Sequence, residues 1–183
     1  MALAQKGQAD TAIADYKKAL GIRPEYAEAY NNLGIVYFQT GRTDEAITQY
    51  QKALGIDPGD AEAHSNLALA LFHVGQTDAA IEQYQTALAI RPDDAEAHKN
   101  FGISLSQMGR TDEAITQYQK ALAIDPGYAE VYNNLGIAYF HKGQIGKAIV
   151  LFQEAVRLKP DYGNAKKNLA RALATAQQAP GSK

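Results

Sequence analysis

The chain has 183 residues, of which 46% are hydrophobic, with 18 basic residues against 20 acidic ones and no cysteine. This balance provides no clustered positive field for nucleic-acid phosphates or an anionic membrane surface, and the lack of cysteine excludes disulfides and thiolate chemistry. The longest apolar run, Leu67 to Phe72, is shorter than the roughly 18 residues of a membrane span, and the N-terminus lacks a targeting pattern. We therefore expect a soluble chain in the cytoplasm, with the periplasm left open.

A strict period organises the chain. The segment GRTDEAITQYQKAL occurs at residues 41–54 and again at residues 109–122, an offset of 68, which is twice the interval between successive prolines. Prolines recur every 34 residues, at Pro24, Pro58, Pro92, Pro126 and Pro160. A fixed period of this length is typical of a repeat array in which each repeat packs on the next.

The apolar residues of each period predict two amphipathic helices. The chain begins with a partial repeat at 1–26, in which the tail of a first helix, through Leu3, is followed by a complete second helix. A capping helix is expected at 163–178, with Lys166, Lys167 and Arg171 on its polar outer surface, before a disordered tail at 179–183. Between them we expect four full repeats in one array over residues 1–178, namely 27–60, 61–94, 95–128 and 129–162.

Glycine, threonine, aspartate and proline predict the helix boundaries. Gly41 and its equivalents at 75, 109 and 143 separate the two helices of each repeat, because glycine readily adopts the left-handed conformation that ends a helix. The Thr-Asp pairs beginning at 43, 77 and 111 are expected to cap the second helices. Each second helix ends at the residue before proline, which is disfavoured in the α region.

These residues resemble the 34-residue tetratricopeptide repeat. The repeat at 27–60 matches through Leu33, Gly34, Ala46 and Pro58, and the repeat at 129–162 matches through the equivalent positions. The resemblance implies an all-α fold, a right-handed α-solenoid of stacked antiparallel helix pairs. It also implies a scaffold that binds an extended segment of a partner protein in a groove lined by the first helices, without enzymatic activity or a cofactor.

One stripe along the first helices is the candidate binding surface. Residues at i, i+4, i+7 and i+11 share one helix face, and in the first full repeat they are Glu28, Asn32, Ile35 and Gln39. The second and third positions of the stripe form two columns along the repeats. The asparagine column contains Asn32, Asn66, Asn100, Asn134 and Asn168, and the apolar column contains Ile35, Leu69, Ile103 and Ile137.

The asparagine column resembles the asparagine ladder of the repeat domain of O-linked N-acetylglucosamine transferase, whose amides hold the backbone of bound peptides. The spacing permits the same role, because neighbouring first helices stand about 10 Å apart and three residues of extended chain span about 10 Å. A column asparagine could then contact every third peptide unit. The alternative is that the asparagines bond a neighbouring helix, and the sequence leaves both interpretations open.

Energetics and charge restrict the kinds of ligand that we expect the groove to bind. Five bidentate asparagine contacts contribute roughly 5 to 10 kcal/mol, whereas association costs about 4 to 15 kcal/mol, so the apolar column must also contribute. The first position of the stripe is glutamate in every full repeat, Glu28, Glu62, Glu96 and Glu130. A negative column disfavours the clamp for a C-terminal carboxylate that chaperone-binding relatives carry.

No residue pattern indicates catalysis or a metal. The four histidines do not converge in the repeat arrangement, since His73 and His141 are two repeats apart and His64 and His98 occupy positions that are tyrosine in the outer repeats. The chain has no phosphate-binding loop, no HExxH and no GxSxG. Partners are therefore expected to be peptides or proteins, with no metal and no nucleic acid.

The N-terminal edge is a second candidate surface. Ala12, Ile13, Tyr16 and Leu20 share one face of the first predicted complete helix, and the helix at 27–40 covers only part of it. We expect this edge to contact another molecule, most simply a second copy of the chain around a two-fold axis, unless residues 1–6 fold over it. Two other functions stay open: a structural unit that stacks end to end, and the regulatory arm of an enzyme whose catalytic domain lies elsewhere.

Overall fold

The computed structural model describes residues 2–178, with side chains from residue 7 onward, and the disordered tail expected at 179–183 lies outside this range. Every regular element between residues 2 and 178 is an α-helix, as the repeat pattern predicts. The ten helices of that range are α1 (Ala2–Ile22), α2 (Ala27–Gln39), α3 (Thr43–Ile56), α4 (Ala61–His73), α5 (Thr77–Ile90), α6 (Ala95–Gln107), α7 (Thr111–Ile124), α8 (Ala129–His141), α9 (Ile145–Leu158) and α10 (Gly163–Gln178).

The chain forms two compact units, Met1–Pro92 and Asp93–Lys183. The first unit holds α1 to α5 and the second holds α6 to α10, and in each unit every helix packs against the next one in the chain. Helices α2, α4, α6 and α8 are the first helices of the four full repeats, and α3, α5, α7 and α9 are the second helices. Helix α10 occupies the position of a first helix.

Small residues set the distance between the helices of one repeat. Ala46 of α3 is completely buried, and a Cβ atom added at Gly34 of α2 would lie 2.5 Å from the ring of Tyr50. In the second unit a Cβ atom at Gly136 would lie 2.6 Å from the ring of Phe152. Since real Cβ atoms do not approach other atoms so closely, these glycines permit an aromatic ring of the second helix to pack on the backbone of the first.

The predicted helix ends are confirmed at glycine and proline but not at the Thr-Asp pairs. Gly41 has a φ of 78°, and its three equivalents are also left-handed. Asp57, before Pro58, is extended and ends α3. The caps are wrong: α3 begins at Thr43 with Arg42 at the N-cap, and no side chain caps it. The threonine already lies within the helix, where its hydroxyl does not face the free amides. Side-chain capping occurs instead on α4, from Asp60.

The first helix differs from the expectation at its start. The sequence predicts a helix tail through Leu3 and a separate second helix, but α1 is continuous from Ala2 to Ile22. Gly7, which aligns with the turn glycine Gly41, is helical here. Glycine permits both a helical and a left-handed conformation, so the residue type at this position does not by itself impose a turn.

Candidate functional site

The first helices lie closest together in both units. Beyond neighbours in the chain, the helix pair in contact within the first unit is α2 with α4, and the pairs within the second unit are α6 with α8 and α8 with α10. All of these are first helices or α10, which occupies the position of one. A stack of helix pairs that approach more closely on one side curves toward that side. The first-helix face is therefore the concave surface of each unit, as the resemblance implies.

In the first unit, part of the hydrogen-bonding capacity of the asparagine column is used in a bond within the protein. Asn32 and Asn66 are both half-buried on this face. The amide Nδ2 of Asn66 donates to Oδ1 of Asn31 on α2, at 3.1 Å, and Asn31 is only 4% exposed. Asn66 thus joins two first helices, which is the alternative that the sequence left open, while its own Oδ1 forms no bond within residues 7–92.

The second unit repeats this contact at one of its two junctions. Nδ2 of Asn168 on α10 donates to Oδ1 of the buried Asn133 on α8, at 2.8 Å. At the α6–α8 junction, Asn134 instead accepts a long bond of 3.5 Å from its chain neighbour Asn133, and Asn100 donates at 3.4 Å to Glu96 on its own helix. Within the second unit, Asn100 and Asn134 are therefore not bonded to a neighbouring first helix, whereas Asn168 is.

The apolar column flanks the asparagines. Ile35, Leu69, Ile103 and Ile137 are all half-buried, so each is neither a full core residue nor a free surface residue. Ile35 packs against the core of the first unit and Ile137 against a core that contains Phe152. The column thus forms an apolar floor with part of each side chain still accessible.

A cavity of about 190 Å³ lies between α8 and α10 on the concave surface. It is lined by Ile137 and Asn168 from the two columns, and by Phe140, His141 and Arg171. The Arg171 guanidinium lies over the Phe140 ring, 4.9 Å from its centroid. Arg171, which the sequence predicts on the polar outer surface of the capping helix, is exposed, and it also lines this cavity. It follows Ile137 by one period of 34 residues, so extending the apolar column would have found it.

The glutamate column carries an ion cluster at the α6–α8 junction. Glu96 pairs with Lys99 at 2.5 Å and accepts a hydrogen bond from the Tyr128 hydroxyl. Burial alone would raise the pKa of Glu96, but the bonds from Lys99 and Tyr128 outweigh it and hold the pKa below its usual range. Burial and the bond to Glu96 both raise the pKa of Tyr128. Glu96 and Lys99 therefore stay ionised at neutral pH while Tyr128 stays neutral, and Lys99 neutralises the charge at one position of the glutamate column.

The histidines take structural positions. His64 Nδ1 lies 2.7 Å from Oε1 of Gln83, and His98 Nδ1 lies 2.8 Å from Oε1 of Gln117, so each links the two helices of its repeat. His73 packs edge-on against Phe38. Within residues 7–178, no three histidine or carboxylate side chains come together as a metal site would require.

The N-terminal edge is more covered than the sequence predicts. Ile13 is only 7% exposed and belongs to the core of the first unit, against which Tyr16 and Leu20 pack. Ala12 is half-buried. A broad cavity beside this edge is lined by Ala12 and Ile13 of α1 and by residues at the end of α2. Side chains of residues 1–6 lie outside the described part of the chain, so the expected cover by that segment stays a prediction.

Comparison with known proteins decides the family. A model described as TPR repeat matches residues 2–41, 36–75, 70–109 and 102–143, and a model described as tetratricopeptide repeat matches residues 129–162. The chain belongs to the tetratricopeptide repeat family. The resemblance seen in the sequence is thus confirmed, and with it an all-helical fold of the repeat-solenoid class. No curated protein matches the chain by sequence.

Solved structures of tetratricopeptide repeat proteins resemble the chain closely. A crystal structure of MamA is 34% identical, with a TM-score of 0.76 over 85% of this chain and 91% of that one. YrrB, described as a TPR protein with an unusual peptide-binding site, is 30% identical, with a TM-score of 0.71 over 90% of this chain and 85% of that one. PilF of Pseudomonas aeruginosa is 29% identical, with a TM-score of 0.78 over 82% of this chain and 69% of that one.

These neighbours place the chain among protein–protein interaction scaffolds. An array of repeats over residues 2–162 is typical of proteins that bind partners rather than of enzymes. None of the helices between residues 2 and 178 has the length and apolar character needed to cross a bilayer.

Proposed function

We propose that the first-helix face of each unit binds an extended segment of a partner protein, with column asparagines on the peptide backbone and the apolar column beneath its side chains. The cavity between α8 and α10 is the observation that carries this function. It opens an accessible apolar site, lined by Ile137 and Phe140, beside the asparagine column, so a site for a peptide side chain stands next to amides for the peptide backbone.

The energetics support a combined use of the two columns. Asn100 and Asn134 are not committed to a neighbouring helix, and about two hydrogen bonds from each would contribute roughly 1 kcal/mol per bond. That gain does not exceed an association cost of about 4 kcal/mol or more. Burial of peptide side chains on Ile103 and Ile137 must supply the rest, at about 25 cal/mol per Å² of apolar surface.

The peptide-binding description of YrrB adds support from a relative that is 30% identical. Resemblance to the asparagine ladder of the O-linked N-acetylglucosamine transferase repeat domain belongs to this proposal as well. Bonds from Asn66 and Asn168 to the preceding first helix favour a mixed column, in which these two asparagines position the helices and the others face the ligand.

A peptide-array screen with matched variants tests the proposal. The ligand-facing variant carries Asn32→Ala, Asn100→Ala and Asn134→Ala, which spares both interhelical asparagine bonds. The control carries Gln51→Ala, Gln85→Ala and Gln153→Ala, three exposed amides at equivalent positions of the second helices, spaced by 34 and 68 residues. We expect the control to retain the bound peptides and the asparagine variant to lose them. Equal retention by both variants would contradict the asparagine contacts, and no retention by the parent chain would contradict the function.

A further inference from the structure

The sequence of helix α9 differs from those of the second helices α3 and α7 within one segment of six residues. Residues 44–49 read DEAITQ in α3, and residues 112–117 read the same in α7, whereas residues 146–151 of α9 read GKAIVL. The buried Ala and Ile positions are kept, and the four remaining positions all change. An aspartate becomes Gly146, a glutamate becomes Lys147, a threonine becomes Val150 and a glutamine becomes Leu151.

The changes leave an apolar side chain in solvent. Val150 is 63% exposed, although its equivalents in α3 and α7 are threonines. Other large apolar residues with exposures near 40%, such as Ile56, Ile90 and Ile124, are the last residues of their second helices and recur with the repeat. Val150 has no such counterpart, so repeat architecture does not account for it.

A cavity of about 410 Å³ opens at this patch, between α7 and α9 on the side of the second helices. Its apolar wall is formed by Leu135, Tyr139, Val150 and Leu151, with Gly146 and Lys147 beside them. A Cβ atom added at Gly146 would meet nothing within 4 Å, so local packing does not require glycine there. Gly146 therefore borders the cavity without a side chain, although a side chain could be accommodated there.

At the rim of this cavity, α9 has a positive charge at the position where α3 and α7 have a negative one. In α3, Arg42 pairs with Glu45 at 2.5 Å, and in α7, Arg110 pairs with Glu113 at 2.6 Å. In α9 these positions are Gln144 and Lys147. The Lys147 ammonium lies 5.0 Å from the centre of the Tyr139 ring and forms no ion pair with any residue from 7 to 178. An acidic residue of a ligand could therefore pair with it.

We propose that this cavity is a second docking site, for an acidic segment of a partner protein that inserts one leucine or phenylalanine side chain between α7 and α9. Its volume lies within the usual range of about 300 to 1,000 Å³ for ligand sites. In protein interfaces, a few side chains that fill well-packed, desolvated pockets carry most of the binding energy. The site shares no lining residue with the concave cavity between α8 and α10, so both can be occupied at once.

Nuclear magnetic resonance titration with two synthetic peptides tests the site. One peptide carries a Leu-Phe pair flanked by aspartates and glutamates, and the other replaces these acids with lysines. The full chain is compared with a Val150→Thr, Leu151→Gln variant, which restores the residues of α3 and α7, and with Lys147→Glu, an exposed change that leaves the packing intact. A control with Arg42→Gln and Glu45→Lys copies the charges of α9 onto α3 without the apolar pair.

The acidic peptide should shift the backbone amides of Gly146 and Lys147 saturably and bind the parent chain and the control equally. Binding should weaken at least tenfold in the Val150→Thr, Leu151→Gln variant and at least threefold in Lys147→Glu, and the lysine peptide should bind at least threefold more weakly. Equal affinity of all variants, shifts confined to the first helices, or no saturable shift at millimolar peptide would each overturn the proposal. A dimer of the parent chain that disappears in the Val150→Thr, Leu151→Gln variant would assign the surface to a second copy and overturn it too.

Discussion

Two junctions between first helices, α8–α10 and α6–α8, are built from the same repeat but joined differently. The α8–α10 junction is closed by a buried amide pair, Asn168 donating to Asn133, and the α2–α4 junction of the other unit has the same pair. The α6–α8 junction has Lys99 where the others have an asparagine, and this lysine pairs with Glu96 near the Tyr128 hydroxyl. At these three junctions, the residue before the column asparagine of one first helix thus decides whether the column asparagine of the next first helix is bonded to it.

Buried apolar residues of the core should contribute more to the stability of both junctions than either polar contact. Replacing Leu135, which is 4% exposed, with alanine should lower the free energy of unfolding by about 2–5 kcal/mol, because buried apolar contacts are lost and a cavity remains. Denaturant unfolding measures this effect, with the exposed Thr116→Ala as the control. A loss under about 1 kcal/mol would show that Leu135 does not hold α8 in its stack.

The amide pair of Asn133 and Asn168 should contribute more to the free energy of unfolding than the ion pair of Glu96 and Lys99. Asn133→Ala leaves the Asn168 amide without its acceptor and should cost about 1–3 kcal/mol, whereas Lys99→Ala should cost under about 1 kcal/mol because the Glu96 carboxylate is largely exposed. The same unfolding measurement compares them. A larger loss from Lys99→Ala would reverse our ranking of the two junctions.

The ion cluster should make one junction sensitive to acid. The folded pKa of Glu96 lies below its unfolded value of about 4.5, so its stabilising contribution is present above that pH and is lost as the pH falls through the folded pKa. The melting temperature of the parent chain should exceed that of Glu96→Gln by about 1–3 °C at pH 7. The difference should shrink as the pH falls below about 4.5, and a difference that stays constant with pH would contradict the cluster.

Self-association at the N-terminal edge stays a prediction with the smallest expected effect. Since Ile13 is buried in the core, the variant that tests this edge without unfolding it is Ala12→Glu on the half-buried rim. Light scattering should reveal a weak dimer of the parent chain that Ala12→Glu removes. A monomer at every concentration would remove the edge as a homodimer surface.

The fold was predictable because the 34-residue period fixes the helices, the turn glycines and the buried residues at once. The continuous α1 was not predictable, because glycine permits both a helix and a left-handed turn, and Gly7 is helical where Gly41 is left-handed. The asparagine column was found as a pattern, but its division into interhelical and ligand-facing members depends on the contacts of Asn31 and Asn133. Both partners are visible in the sequence as Asn-Asn pairs, a signal that the column alone does not reveal.

Recognition of a peptide backbone by column asparagines is the central claim, and selective backbone methylation tests it most directly. A peptide selected by the parent chain is resynthesised with one N-methyl amide at each position in turn, and each affinity is measured by calorimetry. Because the ligand-facing Asn100 and Asn134 lie in adjacent repeats and three extended residues span about 10 Å, affinity should fall at two positions three residues apart and persist at the two positions between them. Losses that follow side-chain identity, with no three-residue spacing, would contradict the account.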